Sequence, residues 1–474
     1  MFEQEKCVYF VGIGGIGMSG LAEILLNMGY HIAGSDMVKT DITERLETLG
    51  AKVFYKHSSE NICKEEVQMV VYSAAVPANN PELIMAQELG IPTITRGELL
   101  ADIMRLKRNA VGVAGAHGKT TTTSFIYNML EASDIETTGI IGGVLVRKGT
   151  NACWGKGDYL VAETDEHDGS FLKLFPSVSV VTNIDEEHME YYPTLDHLKD
   201  AFVDFIHKVP FYGFSVLCLD DKNVRDILPR IKCNKILYGL SPEADIRAEN
   251  IEFSKNVFDP WLSFDVHCTN KRVANCGKLG SIFIRSMGLH NVLNALAAVS
   301  VGIGLGLDFK IIKTGLRTFN GIKRRFEIKK HDEYFTLIED YAHHPNEIKS
   351  VVNAVKHVKK NRLVIMFQPH LFSRTKYFEE EFAKVLSQAD HLIVVDIYPA
   401  REQPIEGVHS KNLVELTHKY GNGVYEYVGG KEEALARVQE VIEKGDIVFI
   451  LGAGDIYKVS DKLAKIDLRN QHVR

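Results

Sequence analysis

The chain has 474 residues, 45% of them hydrophobic and 25% charged, with 55 lysines and arginines against 62 aspartates and glutamates. That length exceeds one ordinary core and predicts two to four soluble globular domains. A net charge of −7 argues against a nucleic-acid protein held by a global positive field, and no apolar run approaches the ~20 residues of a membrane span. The seven cysteines are scattered without a C-x-x-C pair. Reduced thiols in a cytoplasmic protein are the expectation, with neither a disulfide framework nor a zinc site.

The first third reads as an α/β nucleotide fold. Residues 7–11 form a buried-strand pattern, and Gly12-Ile13-Gly14-Gly15-Ile16-Gly17 follows as G-x-G-x-x-G. A helix carrying Leu21, Ile24, Leu25 and Met28 comes next and closes at Gly29; a second strand is expected over 30–33. Asp36 falls 19 residues after Gly17, where a dinucleotide fold places a ribose-binding acid. Taken alone this suggests NAD, but the motif tests only close approach to a pyrophosphate, which a UDP-sugar also carries. Strands are expected over 67–72 and 92–95, with Ser73 after the first and a short helix near 81–89 between them. Arg96 follows a strand end, as either a phosphate ligand or a solvated loop residue. Arg105, Lys107 and Arg108 read as a solvated linker.

The middle third opens on strand 110–114, the loop Gly115-Ala116-His117-Gly118-Lys119-Thr120-Thr121, and a helix whose apolar face is Phe125, Ile126, Met129 and Leu130. Strand, glycine loop, Lys-Thr and helix is the layout of a triphosphate cradle, in which Lys119 meets the β/γ-phosphates and the Thr120 hydroxyl reaches Mg²⁺. The common pattern wants a glycine where Val113 stands, so this is a shorter G-x-x-G-K-T loop. A bare strand-to-helix turn is the competing reading. Two further strand ends carry polar clusters: Glu163 with Thr164-Asp165-Glu166-His167-Asp168, and Asn183 with Ile184-Asp185-Glu186-Glu187-His188. Ligands gather at the carboxyl ends of strands in open α/β sheets. Glu163 is therefore a candidate Mg²⁺ ligand, and His188 a candidate for a second metal or a phosphate oxygen. A solvated acidic loop is the alternative. Near 288–298 a helix carries Asn291 and Asn294 on one side, two amides suited to an adenine edge.

The last third begins after Asn320-Gly321, a hinge pattern, with Lys323-Arg324-Arg325-Phe326. Strands are expected over 335–338, 363–367, 392–395 and 447–451, alternating with helices, which implies another parallel sheet. Polar clusters again follow the strands: Glu339-Asp340-Tyr341-Ala342-His343-His344, then Gln368-Pro369-His370-Leu371-Phe372-Ser373-Arg374.

In order and at these spacings, GIGGIGMSGLAE, GAHGKTT, VAETDEHDGSF, TNIDEEHMEYY, GLHNVLNALAA, FNGIKRRFE, EDYAHHP, FQPHLFSRT, YPAREQPIEGV and LGAGDIY resemble the Mur ligase family over nearly the whole chain. Departures are few. Ala116 stands where Thr is usual, Glu339 and Ala342 replace Asp and Gly, and Leu371 sits where many relatives have Arg. No lysine matches the carbamylated lysine of sister ligases.

The resemblance implies three α/β domains. These are a Rossmann-like UDP-sugar domain at 1–107, a P-loop-type ATP domain at 108–321, and a Rossmann-like domain at 322–474 that admits the amino acid and closes over both. It implies ATP-dependent joining of L-alanine to the carboxylate of UDP-N-acetylmuramate through an acyl phosphate, in cytoplasmic peptidoglycan precursor synthesis, with ATP and Mg²⁺. Gly14, Gly15, Ile16, Gly17, Asp36, Ser73 and Arg96 would hold the UDP-sugar. ATP would meet Gly115 through Thr121 and His290, Asn291, Asn294, Arg325 and Asp340. Thr120, Glu163 and His188 would hold metal. Lys119, Glu163, His188, Arg325, His344 and Arg374 would carry the chemistry. A monomer or homodimer acting on small molecules, without nucleic acid or membrane, is expected. Rival readings are a recycling ligase that adds a peptide, an NAD-dependent oxidoreductase and a nucleotide-gated switch.

Overall fold

A computed structural model describes residues 6–186, 191–273, 275–356, 362–400 and 402–467. They divide into two compact units. The first comprises 1–251, 263–284 and 291–320; the second comprises 252–262, 285–290 and 321–474. The division at Asn320 and Gly321 falls on the expected hinge, where Gly321 has φ +92°. Among the described residues no helix is long and apolar enough to cross a membrane.

The first unit holds two sheets. One has five parallel strands, in which Cys7–Val11 pairs with His31–Ser35 on one side and Val67–Tyr72 on the other. Lys52–Phe54 and Thr93–Thr95 form its edges. The central strand is fully buried, as a continuous apolar run in a parallel sheet must be. Its carboxyl end is the topological switch point, so the first glycine loop opens where the strand order reverses.

The other sheet has ten strands, with Asn109–Ala114 in its interior. That strand pairs in parallel with Val178–Val181 and Tyr159–Glu163. Ala114 lies opposite Val181 and Val113 opposite Glu163. The register alone brings the second glycine loop, Glu163 and the 182–185 turn to one end of the sheet. The strands Ile246–Phe253, Leu262–Cys268 and Gly277–Ile284 extend the far edge.

The two sheets of this unit share one core. Leu99, Leu100, Ile103 and Met104 on the helix Arg96–Arg105 cluster with Phe171, Leu174, Phe202 and Phe205. Each such side chain, fully buried, contributes about 1.5–3 kcal/mol. Lys107 departs from the solvated linker expected of it. It is buried, with its Nζ donating to the carbonyls of Gly155 and Gly157 at 2.5 and 2.7 Å and lying 4.1 Å over the Trp154 ring. Burial lowers its pKa.

The second unit is built on six strands. Phe335–Asp340, Asp446–Leu451, Leu363–Phe367, His391–Val394 and Val424–Tyr427 run parallel, and Glu327–His331 pairs antiparallel with the first of these. The strand expected to stop at Ile338 continues through Glu339 and Asp340. Both carboxylates are tolerated inside because they are matched: Glu339 lies 2.9 Å from Arg324, and Asp340 accepts the N–H groups of Phe326 and Ala342 at 2.7 and 2.8 Å.

The helix Lys119–Glu131 buries Phe125, Ile126, Met129 and Leu130 completely, the face expected of it. The helix Phe309–Arg317 crosses it so closely that a Cβ on Gly315 would lie 2.4 Å from the Met129 Cα. Gly315→Ala gains about 1 kcal/mol in helix propensity but must push two backbones apart, an overpacking cost of about 1–3 kcal/mol. The overlap is with backbone and outweighs the gain. The variant should therefore unfold at lower urea concentration than the parent. A raised midpoint would show that this helix pair spreads freely and that the overlap carries no net cost.

Candidate active site

Three strand ends build the second glycine loop of the first unit. Thr182 and Asn183 clamp it. The Asn183 side chain accepts the His117 N–H at 2.8 Å and donates to the His117 carbonyl at 2.9 Å, and the Thr182 hydroxyl donates to that carbonyl at 2.7 Å. The clamp leaves no room for side chains at the glycines. A Cβ on Gly115 would sit 2.1 Å from the Thr182 hydroxyl, and one on Gly118 would sit 2.4 Å from the Asn294 Oδ1. Gly118 also has φ +81°, a left-handed conformation that glycine adopts at least cost. His117 Nε2 lies 3.1 Å from Asp185. The loop is thus held from below by Thr182, Asn183 and Asp185, and its backbone turns into the N-terminus of the helix that begins at Lys119.

Lys119 is the first residue of that helix. Its Nζ donates to the Gly115 carbonyl at 2.6 Å and to both Glu166 oxygens at 2.9 and 3.1 Å. Glu166 is 1% exposed, so a charge pair sits inside the site. Removing one member of such a pair strands the other, at a cost of about 3–5 kcal/mol. Glu166, the buried partner of Lys119, is not singled out by the motifs; its signal in the sequence is only its place in the acidic run after a strand.

Glu163 is half-buried at the end of Tyr159–Glu163, and its Oε2 accepts the Gly142 N–H at 2.9 Å. Thr120 is buried one residue beyond Lys119. A hydroxyl and a carboxylate at this end of the sheet are hard oxygen donors, the set that fits Mg²⁺. Asn291 and Asn294 are both buried and bonded to one another at 3.1 Å, and Asn294 accepts the Thr122 hydroxyl at 3.2 Å. Asn294 therefore abuts the phosphate loop itself. His188 lies outside the described residues.

At the first glycine loop, the Gly12 and Ile13 N–H groups both donate to the Ser35 carbonyl at 2.9 Å, and the Asp36 carboxylate accepts the Gly14 N–H at 2.9 Å. Ser35 is in turn held by Glu82, fully buried, which also accepts from Tyr9 and Asn61. Ser73 accepts the Ala75 N–H at 3.3 Å. Arg96 lies over Gly17, and its guanidinium is 3.4 Å from Asp165. It is neither free in solvent nor alone.

The second unit carries His290, Arg325, Asp340, His344 and Arg374. Arg325 lies between two residues held in the left-handed region, Arg324 at φ +62° and Phe326 at φ +48°. Arg324 is fixed by the Gly452 and Gly454 carbonyls at 2.7 and 3.0 Å. It also lies 4.9 Å from each of the Tyr341 and Tyr457 rings. Arg325 itself lies 5.1 Å over Tyr341 and 3.8 Å from Glu347. His344 is buried, its ring set edge-on to Phe378 at 4.5 Å. The Arg374 Nη1 is buried without a hydrogen-bond partner among the described residues.

Three stretches of the chain match models of the Mur ligases: residues 7–108 the family's catalytic domain, 113–302 its middle domain and 324–454 its glutamate ligase domain. A UDP-N-acetylmuramate–L-alanine ligase of Desulfosudis oleivorans is 46% identical over 97% of this chain and 98% of its own length. The crystal structure of a UDP-N-acetylmuramate–alanine ligase of Thermotoga maritima is similar at TM-score 0.81 and 27% identity, covering 97% of this chain and 99% of that one. A murein peptide ligase of Psychrobacter arcticus shares the fold at TM-score 0.71 and 21% identity, over 98% and 99% of the two chains.

Two titrating groups of the second unit oppose one another. Burial pushes the Asp340 carboxyl up to about 6, with Arg325 and the two N–H donors pulling the other way. Burial also holds the His290 imidazole down at about 4, reinforced by Arg325 and opposed by Glu347. A raised carboxyl contributes stability below its unfolded pKa of about 4 and loses it as pH climbs through about 6. A lowered imidazole loses stability as pH falls from about 6.5 to about 4. The two slopes largely cancel between pH 4 and 6. Asp340→Asn removes one of them. The stability difference between parent and variant should shift against the parent by about 2–3 kcal/mol as pH rises from 4 to 6. Denaturation midpoints across that range measure it, and a pH-independent difference would place the Asp340 pKa at its ordinary value.

Proposed function

The chain belongs to the Mur ligase family, and within it we propose that it joins L-alanine to the carboxylate of UDP-N-acetylmuramate at the expense of ATP, in cytoplasmic peptidoglycan precursor synthesis. The observation that carries this reading is the pair of glycine loops in one unit. One lies at the switch point of the five-stranded sheet, and the other is clamped beside Lys119 and Glu163. We assign the UDP-sugar to 1–107, ATP to 108–321 and the amino acid to 322–474, in a monomer or homodimer. The UDP-N-acetylmuramate–L-alanine ligase that is 46% identical over 97% of the chain supports the choice of L-alanine.

The reaction proceeds in two steps. An oxygen of the muramic acid carboxylate attacks the γ-phosphorus of ATP, the bond to the bridging oxygen breaks, and ADP leaves an acyl phosphate behind. The amine of L-alanine then attacks the acyl carbon, phosphate departs with the bonding pair, and the nitrogen sheds a proton to leave an amide. Little covalent chemistry is asked of the protein, which positions reactants and stabilises charge. Lys119 leaves its carbonyl and carboxylate partners toward the transferred phosphoryl group. Arg325 and Arg374 neutralise phosphate oxygens. Thr120 and Glu163 would hold Mg²⁺, with His188 as a donor for a second ion, and the metal would supply charge neutralisation at the phosphates. Asn294 fixes the loop that carries the phosphates, and His344 and Asp340 shape the wall of the amino-acid side.

Incubation with ATP, UDP-N-acetylmuramate and L-alanine should release phosphate in step with amide formation. Lys119→Ala should lower turnover at least a thousandfold while calorimetry still detects UDP-N-acetylmuramate, because the two nucleotides use different loops. Phosphate release with an L-alanyl peptide but not with L-alanine would replace this reading with the recycling ligase. Loss of UDP-sugar binding in a folded Lys119→Ala protein would overturn the division between the loops.

A further inference from the structure

Two short links run from the first glycine loop to the carboxylate beside the second. The first passes through Asn151, 6% exposed, on the turn before the short strand Ala152–Cys153. Its Nδ2 donates to the carbonyl of Ile16 at 2.6 Å, in the first loop's helix. Its own carbonyl accepts the Ile141 N–H at 2.8 Å. The next residue, Gly142, donates its N–H to Glu163 and stands so near that a Cβ there would lie 2.3 Å from the Glu163 Oε2. Three hydrogen bonds, through Asn151 and the Ile141–Gly142 peptide unit, thus connect Ile16 to Glu163.

The second link is Arg96. It lies over Gly17, where a Cβ would approach the Arg96 Cδ to 3.0 Å, and pairs with Asp165 at 3.4 Å, two residues beyond Glu163. One link therefore leaves Ile16 and ends on Glu163, and the other leaves its neighbour Gly17 and ends at Asp165, two residues further on.

The first link is built in. Gly20 faces Asn151, and a Cβ on it would lie 2.9 Å from the Asn151 Nδ2. The helix keeps a bare face where the amide must enter. Beside it the Thr150 hydroxyl donates at 2.8 Å to the buried Glu23, which Arg45 holds in a two-pronged pair at 2.7 and 3.2 Å. The turn bearing Asn151 is anchored to the first sheet's helices by a charged hydrogen bond as well as by the amide.

We infer that Asn151 is a positioning residue that couples the two glycine loops, so that UDP-sugar at the first and ATP with Mg²⁺ at the second each strengthen the binding of the other. This rests on the assignment of those ligands to those loops. A pyrophosphate on the first loop orders Ile16 and Gly17. Their carbonyl and Cα face hold Asn151 and Arg96. Those in turn fix Gly142 and Asp165, and with them the direction of Glu163. A site already ordered by one ligand gives up less freedom when the other arrives, and the coupling is reciprocal by linkage.

The test is a binding cycle on the full chain. Calorimetry gives the affinity for UDP-N-acetylmuramate without and with saturating AMP-PNP and Mg²⁺, and the reverse. In the parent the second ligand should bind on the order of tenfold more tightly than it does alone. In Asn151→Ala that factor should fall below twofold, while each ligand alone binds within about threefold of the parent. Gly20→Ala, which displaces the amide without deleting it, should lose the same factor. A structural role alone would weaken single-ligand binding or thermal stability and leave the factor in place. An unchanged factor in folded Asn151→Ala and Gly20→Ala, or a factor of one in the parent, overturns the coupling. Failure of the parent to bind either ligand overturns the functional assignment and the coupling with it.

Discussion

The chemistry of the first unit hangs on the pairing of one strand. Asn109–Ala114 is bonded on both sides, and its two neighbours end level with it. Parallel strands in register must release their chains at one edge, so three loops emerge side by side whatever their sequences. What those sequences add is mutual restraint. Thr182 and Asn183 spend their side chains on the backbone of His117, and Asn294 fills the space that Gly118 leaves. The floor of this short glycine loop is built by another strand end, through Thr182 and Asn183.

Much of this was legible. The strands at 7–11, 67–72 and 363–367 are read to the residue, because each is an apolar run, broken only by Gln68 in the second, bounded by polar or turn-forming residues. Helix 119–131 shows its face through Phe125, Ile126, Met129 and Leu130. The motifs place Gly115 to Thr121 and Glu163 at one end of the sheet, as the register does. The strands 246–253, 262–268 and 277–284 were not read. Their alternating exposure comes from an edge with one wetted face, and their segments carry many polar residues. Lys107 was misread for a related reason. Whether a lysine is solvated depends on what lies 50 residues away, here the carbonyls of 155 and 157 and the ring of Trp154.

The second unit shows how a charged pair redraws an element. The strand expected to end at Ile338 runs two residues longer because Arg324 and Lys329 flank Glu339 and backbone donors satisfy Asp340. Arg324 and Arg325 are adjacent and alike in sequence, yet one is locked among carbonyls and rings while the other faces Glu347 and Tyr341. No composition rule separates them. Their partners do: Arg324, itself in the left-handed region, reaches the Gly452 and Gly454 carbonyls, whereas Arg325 reaches Glu347.

The hydrogen bond from Gly142 to Glu163 has a consequence for ion choice. With Oε2 already accepting an N–H, the carboxylate would offer a cation its other oxygen more readily than both. Calcium fills its larger shell with six to eight oxygens and readily takes a carboxylate by both, whereas magnesium keeps a tight octahedron and several of its own waters. On the proposed assignment of Mg²⁺ to Glu163 and Thr120, a carboxylate that offers one oxygen together with one threonine hydroxyl would suit the smaller ion better than the larger. A glycine N–H in the neighbouring hairpin would then bias the choice between the two cations without touching the metal.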